Sequence, residues 1–99
     1  MPTWVEPLKA NIPRRILPAN PKRICYTIRN DSSVDVYIGK DSRVSTSGFF
    51  RGFKVDAGGG TLEDEFHKGE VWAIAESDCE ITVNEDVPVD PPSPQAEEK

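Results

Sequence analysis

The sequence predicts an all-β protein: an antiparallel β sandwich, jelly-roll-like, of about six or seven strands, with an extended N-terminal arm and a C-terminal tail. Three observations carry the prediction. Ile24–Gly39, ICYTIRNDSSVDVYIG, alternates apolar and polar residues with a period of two and is rich in β-branched and aromatic side chains. Turn signals recur roughly every 8–12 residues through the middle of the chain, the spacing of sandwiches and barrels. No segment of helical length carries a 3.6-residue period, so α-helix is not expected.

All nine prolines lie in Met1–Pro21 or Pro88–Lys99, and all seven glycines lie between them. Proline removes a ladder donor and is excluded from central strands. The chain therefore divides into a proline-rich arm over 1–21, a β domain over 22–87 and a proline-rich acidic tail over 88–99. The arm has no helical period, and its prolines favour extended backbone. Arg14–Leu17 could add one strand to a sheet edge. The first clear strands are Ile24–Arg29 and Val34–Ile38, read as a hairpin closed by Asn30-Asp31-Ser32-Ser33. Lys40–Gly48 is a polar loop. Phe49–Val55 is a short strand in which Phe49 and Phe53 face opposite Phe50, one side being core, with Gly52 as a bulge. Asp56–Gly60 is a flexible turn. Thr61–Phe66 is strand-like but acidic, which suits a sheet edge where charge prevents unwanted pairing. Val71–Ala75, VWAIA, is a nearly continuous apolar run and reads as a central strand. Cys79–Asn84 alternates, with Cys79, Ile81 and Val83 on one face. The expected core is Ile24, Tyr26, Ile28, Val34, Val36, Ile38, Leu62, Trp72, Ile74, Ile81 and Val83, with Trp72 and Ile74 preferred over Val71 and Ala73. The tail is nearly devoid of apolar residues and in isolation should be disordered.

At 99 residues and 36% hydrophobic content the chain supports one domain with a small core. The two cysteines, Cys25 and Cys79, are too few for a disulfide framework. Strand parity places them on different faces, so both are read as reduced thiols. No apolar run approaches the roughly 20 residues of a membrane-spanning helix. The N-terminal residues lack the apolar stretch of a signal peptide. The chain is thus expected to be made and kept in a cytoplasm unless it leaves inside a larger particle. Met1–Arg23 has five basic residues against Glu6; Ile24–Asp86 has six basic against thirteen acidic. An acidic body repels a phosphate backbone, so nucleic acid is not an expected partner. The basic arm is instead suited to an acidic protein surface, and the body of a second copy qualifies.

Catalytic chemistry finds little footing. His67 is the single histidine and sits in a turn, with no positioned acid or base partner evident. Cys25 lies mid-strand, away from any helix N-terminus that would stabilise a thiolate. Glu63 and Glu65 share a strand face while Asp64 points away, too few oxygens for calcium. Gly58–Gly60 is followed by neither the lysine nor the helix of a phosphate loop. No catalytic residue, cofactor or metal is assigned. What remains is protein surface. Trp4, Leu8 and Ile12 in the arm, with Arg14 and Arg15 beside them, are candidate partner-binding residues, as are Phe49 and Phe50 at the start of the expected Phe49–Val55 strand; aromatic residues and arginine are enriched at interface hot spots.

The run ILPANPKRICYTIRNDSSVDVYIG, a Ser/Thr/Gly-rich loop, GGTLEDEF, GEVWAIAES and CEITVNE together resemble small β-sandwich proteins of tailed-phage virions. The resemblance covers roughly Ile16–Glu85; the arm and the tail lie outside it. It implies a non-enzymatic virion component, assembled in the host cytoplasm: a capsid decoration or cement protein, or else a tail or fibre accessory module that binds host glycans. The partners it implies are other copies of the chain, in a homo-oligomer such as a trimer, and the major capsid protein or tail proteins. Independently of the resemblance, the arm's extended reach, apolar residues and basic charge predict that it leaves its own domain and packs on a neighbour; the rival arrangement is an arm that folds back as an extra edge strand.

Overall fold

The structure, a computed structural model, describes residues 3–88; the expectation made for the tail beyond Pro88 lies outside them. Eight strands follow in order: β1 (Thr3–Leu8), β2 (Arg14–Leu17), β3 (Cys25–Asn30), β4 (Val36–Gly39), β5 (Phe53–Val55), β6 (Gly60–Asp64), β7 (Val71–Ala75) and β8 (Cys79–Asp86). They form two four-stranded sheets, β1-β8-β3-β6 and β2-β7-β4-β5. Every strand pairing is antiparallel. Both sheets contribute to one core, in which Leu8, Ile28, Ile81 and Val83 meet Leu17, Val36, Val55 and Val71. The sheets are thus amphipathic layers closed on each other, the arrangement that alternating strands require.

The strand count exceeds the expected six or seven because the arm supplies two strands. β1 pairs with β8 along its whole length, and β2 pairs with β7. The expectation that residues 1–21 leave the domain is therefore corrected for the described part of the arm: it forms one edge of each sheet. The cause is apolar. Leu8 is 1% exposed and Leu17 is 0% exposed, and Ile16 is buried with them, so the small core is completed by the arm's own side chains. The arm's charge is also taken up within the chain. Arg14 pairs with Glu6 at 3.2 Å and Arg15 with Glu70 at 3.2 Å. Glu6 and Arg14 belong to different sheets, so their bridge closes the side of the sandwich-like body where β1 and β2 lie.

The expected hairpin is not formed. β3 and β4 lie in different sheets, and the Asn30–Asp35 connection arches between them. Asn30 is fully buried at this arch. Its amide donates to the carbonyls of Val34 at 2.8 Å and Val55 at 2.9 Å, while its side-chain oxygen accepts from the Ser32 backbone N–H at 3.1 Å and the Ser32 hydroxyl at 2.6 Å. A satisfied buried amide holds a chain reversal that a two-residue hairpin turn would make by backbone alone.

On β7 the parity is the reverse of the expected one. Val71, Ala73 and Ala75 face the core, and Trp72 lies half-buried on the other face with its indole N–H donating to Glu70 at 3.0 Å. The register explains this. Val36 opposes Ala75 and Ile38 opposes Ala73. Directly opposed residues share a face, so the inward Val36 and Ile38 carry the alanines in with them. Ile74, although buried, belongs to the Trp72 face and not to the core cluster. Ile24 is 47% exposed although it shares the parity of the buried Tyr26 and Ile28, because it lies outside β3, which begins at Cys25. Val34 and Leu62 pack at the core's margin. The remaining expected core residues, Tyr26, Ile28, Val36, Ile38, Ile81 and Val83, are buried within it. The acidic strand β6 does lie at a sheet edge and VWAIA does lie inside a sheet.

Candidate protein-docking surface

The longest connection in the described chain runs from Lys40 to Gly52, between β4 and β5. It is built, not loose. Val44 is buried beneath it and acts as its anchor. Ser45 N–H donates to the Phe50 carbonyl at 2.9 Å, Gly52 N–H to the Ser45 carbonyl at 3.0 Å, and Arg51 N–H to the Gly48 carbonyl at 3.2 Å. Gly48 adopts a φ of 82°, a conformation suited to glycine. Two further glycines permit the close approach. A Cβ on Gly39 would stand 2.6 Å from the Val44 Cβ, and one on Gly52 would stand 2.6 Å from the Ile38 carbonyl oxygen.

This framework turns its aromatics outward. Phe49 is 95% exposed, Phe53 is 68% exposed and Phe50 is 46% exposed. The strand expected over Phe49–Val55 is present only from Phe53, and none of the three rings enters the core. Residues 49 and 50 are instead the central residues of the turn that the Arg51 N–H to Gly48 carbonyl hydrogen bond closes. Their rings meet edge to face, with centroids 5.0 Å apart. The Arg43 guanidinium lies 5.0 Å from the Phe50 ring centroid. Asp41 fixes that arginine from the other side at 2.8 Å, and the hydrogen bonds from Arg43 hold the Asp41 carboxyl below its ordinary range. Between the loop and the β4–β5 hairpin runs a groove of about 440 Å³, with Ile38 and Val44 in its lining, Phe50 and Phe53 on its walls, and Lys40, Arg51 and Lys54 at its margin.

The sequence-predicted partner residues fall into two groups that the fold keeps apart. β1 and β2 form one lateral side of the body, and β5 and β6 the other. Phe49 and Phe50 are brought together with Phe53 and Arg43 on the second side. On the first, Leu8 is a core residue, which removes it from the candidates. Trp4 packs against the core with its indole N–H on Glu6 at 3.3 Å. Arg14 and Arg15 are engaged in the ion pairs described above. Ile12 alone of the arm's apolar candidates projects clear of the fold at the β1–β2 turn, 58% exposed.

Two residues the sequence reading did not single out, Arg23 and Lys68, tie together the β2–β3 and β6–β7 connections. Arg23, counted there as one charge of a basic arm, is buried. It donates to Glu85 at 2.8 Å and to the carbonyls of Pro18, His67 and Gly69 at 2.6, 3.1 and 3.0 Å. Its guanidinium carbon also lies 5.7 Å from the centre of the Tyr26 ring. Lys68 donates in turn to the Arg23 carbonyl. Three acceptors on two connections identify Arg23 as a staple, and an arginine next to a run of prolines at a strand start is its only sequence trace.

The titratable groups are arranged for structure. His67 shares a hydrogen bond of 2.8 Å with the Glu70 carbonyl through Nε2, inside its own turn. Asp64 accepts from the backbone N–H groups of Phe66 at 2.8 Å and His67 at 3.1 Å, and these hold its carboxyl below the usual range. Desolvation, then the nearby Asp86, Glu63 and Glu65, push the Cys25 thiol up; desolvation does the same to Cys79. Both cysteines are free, Cys79 against the core and Cys25 beside Asp86. Burial and the Asp64 carboxylate push the Tyr26 hydroxyl up to about 12. Among the described residues no three histidine, cysteine or acidic side chains are grouped to hold a metal ion.

Fold and surface together define an all-β chain of two antiparallel four-stranded sheets carrying a hydrogen-bonded loop with exposed aromatics. Comparison with protein-family models, with curated proteins and with solved structures found no match.

Proposed function

We propose that the chain is a non-enzymatic structural component of a tailed-phage virion, a capsid decoration or cement protein, folded as a jelly roll. The observation that carries the reading is the hydrogen-bonded loop that holds Phe49 and Phe50 in solvent. Exposed aromatics on a braced loop are expensive to keep in water unless a partner covers them. The strand order adds support. The pairs β1–β8, β2–β7, β3–β6 and β4–β5 are those of one long antiparallel ribbon folded over on itself, and β8–β3 and β7–β4 join its turns into two sheets. Such a winding supports the jelly-roll reading, an architecture of viral capsid and lectin domains. The fold alone assigns no function, so the resemblance of the strand-and-turn pattern to phage virion proteins supplies the class. With the arm integrated into the body, contacts to neighbouring subunits fall to the Phe49–Phe50 loop, with Ile12 as a secondary contact on the far side.

The second reading is a tail or fibre accessory module that binds host glycans. It is favoured by one feature, the aromatic rings flanked by the polar Arg43 and Asp41 on the same loop. Quantitative mass spectrometry of purified virions from the encoding phage separates the two. A copy number comparable to that of the shell subunit is the expected result. A handful of copies supports the tail module, and absence from the particle contradicts both.

A further inference from the structure

The acidic partner expected for the arm loses its footing in the fold, because Lys9, Arg14, Arg15 and Arg23 each pair with an acid of the same chain. Positive charge reappears at the groove. Of the six basic residues in Ile24–Asp86, four lie within residues 40–54: Lys40, Arg43, Arg51 and Lys54. Asp41 is the one acid there, so this stretch has a net charge of +3. The rest of Ile24–Asp86 has two basic and twelve acidic residues, a net of −10. Arg43 is held between Asp41 and the Phe50 ring. Lys40 and Arg51 are exposed and make no ion pair among the described residues, and Lys54 has pairs at 3.5 and 3.9 Å with Asp56 and Asp35. Among these cations the groove is apolar, lined by the buried Ile38 and Val44 and the exposed Phe50 and Phe53. We infer that the groove receives an acidic segment of the protein on which this chain docks: one bulky apolar side chain between Phe50 and Phe53, with neighbouring carboxylates paired to Lys40 and Arg51. The inference rests on the reading of the adjoining Phe49–Phe50 loop as a docking surface and names the chemistry of the partner.

Size, preorganisation and charge each favour this occupant. A hollow of about 440 Å³ falls in the range of about 300–1,000 Å³ in which apolar walls and a few polar groups hold a ligand. The Val44 anchor and the loop's backbone hydrogen bonds set the walls in advance, so little freedom is lost on binding. A carboxylate that meets an unpaired arginine or lysine there makes a charge-assisted hydrogen bond. The acidic remainder of the body repels an acidic partner at other approaches, so the patch sets orientation as well as contact. Single-stranded nucleic acid also combines negative charge with rings that stack on aromatics. It fits less well, because a strand leaving the groove must run past the acidic body, and three cations neutralise few phosphates. A second copy is acidic as well, and its docking would appear as self-association.

The test titrates the native chain with the peptide acetyl-Asp-Glu-Phe-Glu-Asp-amide and follows backbone amide NMR shifts. Saturable shifts at Lys40, Phe50, Arg51 and Phe53 are expected. Affinity should fall at least about tenfold in the Lys40→Glu/Arg51→Glu variant, both changes at exposed side chains. It should fall likewise for peptides in which Asn and Gln replace the acids or Ala replaces the Phe. Absence of shifts at the groove, or equal affinity for the uncharged peptide, overturns the inference. Tighter binding of an oligothymidylate at the same residues also overturns it, as does a native dimer in sedimentation that the double variant dissociates; these assign the groove to nucleic acid or to a second copy. Incorporation into particles separates the inference from the reading beneath it, since Phe49 lies outside the groove lining. Loss of incorporation for both Phe49→Ala and the Lys40→Glu/Arg51→Glu variant supports both. Loss for Phe49→Ala alone keeps the docking loop and overturns the acidic segment. Native incorporation of both, with the peptide bound at the groove, supports the groove's specificity and contradicts the virion reading alone.

Discussion

The Arg23 Nε lies 2.8 Å from a Glu85 carboxylate oxygen, with the guanidinium enclosed between the Pro18–Arg23 and His67–Gly69 connections. A buried pair of this kind gives uncertain net stability, but removing one partner leaves the other charge and its acceptors stranded. Arg23→Ala is therefore expected to cost about 3–5 kcal/mol in urea unfolding. Arg23→Lys should recover little of it, because an ammonium cannot reproduce the planar fork that reaches the carboxylate and three carbonyls.

The arm's contribution to the core gives a second expectation. Leu8→Ala should destabilise by about 2–5 kcal/mol, whereas Ile12→Ala, at an exposed turn, should stay within about 0.5 kcal/mol. Deleting residues 2–13 removes β1 and exposes β8 along its length, so the truncated chain should lose its cooperative thermal transition. A truncated monomer with an unchanged midpoint would show that β1 is dispensable to the body.

Close packing at two glycines gives a third. Gly52→Ala sets a methyl group against the Ile38 backbone, and Gly39→Ala sets one against the Val44 side chain. Each should cost about 1–3 kcal/mol, with Gly52→Ala the larger because a backbone carbonyl cannot rotate away as a side chain can. Chemical denaturation of both variants measures the order.

Asp64 supplies a pH dependence with a defined sign. Its carboxyl is held below the usual range chiefly by the Phe66 backbone N–H, with desolvation opposing and the His67 N–H assisting. A depressed folded-state value stabilises above the unfolded carboxyl range, and that contribution is lost as pH falls through the folded-state value. Stability of the native protein should therefore fall on acidification below the ordinary aspartate range, near pH 4. Asp64→Asn should flatten that part of the profile. An unchanged slope in the variant would remove Asp64 from the acid response.

Much of this architecture is legible in the residues, and the failures are physical. Period-two alternation located β3, β4 and β8, and the acidic charge of Thr61–Phe66 located an edge strand. Alternation could not assign a face to VWAIA, because every position is apolar; only pairing with Val36 and Ile38 decides it. Asn30-Asp31-Ser32-Ser33 has the composition of a hairpin turn, yet a turn's composition does not reveal whether it joins neighbours in one sheet or arches between two. The arm's prolines correctly indicated extended backbone but concealed pairing, since Pro7 sits in an edge strand where its missing donor is tolerated. Of the candidate surface, Phe49 and Phe50 are legible as partner-binding aromatics but read as strand residues, whereas β5 begins only at Phe53. The buried roles of Leu8 and Arg23 were not visible, because they depend on residues more than 40 positions away, Cys79 opposite Leu8 and Glu85 and His67 about Arg23.

The central claim is that the Phe49–Phe50 loop is the surface through which this protein joins a virion. The most direct measurement is incorporation of a Phe49→Ala/Phe50→Ala double variant into particles, beside the native chain and a Phe66→Ala control at an exposed ring outside that loop, with each thermal midpoint recorded. The account predicts an unchanged midpoint, since both rings are outside the core, and at least a tenfold loss of incorporation, about 1.4 kcal/mol of binding, against near-native incorporation of the control. Native-level incorporation of the double variant would contradict it.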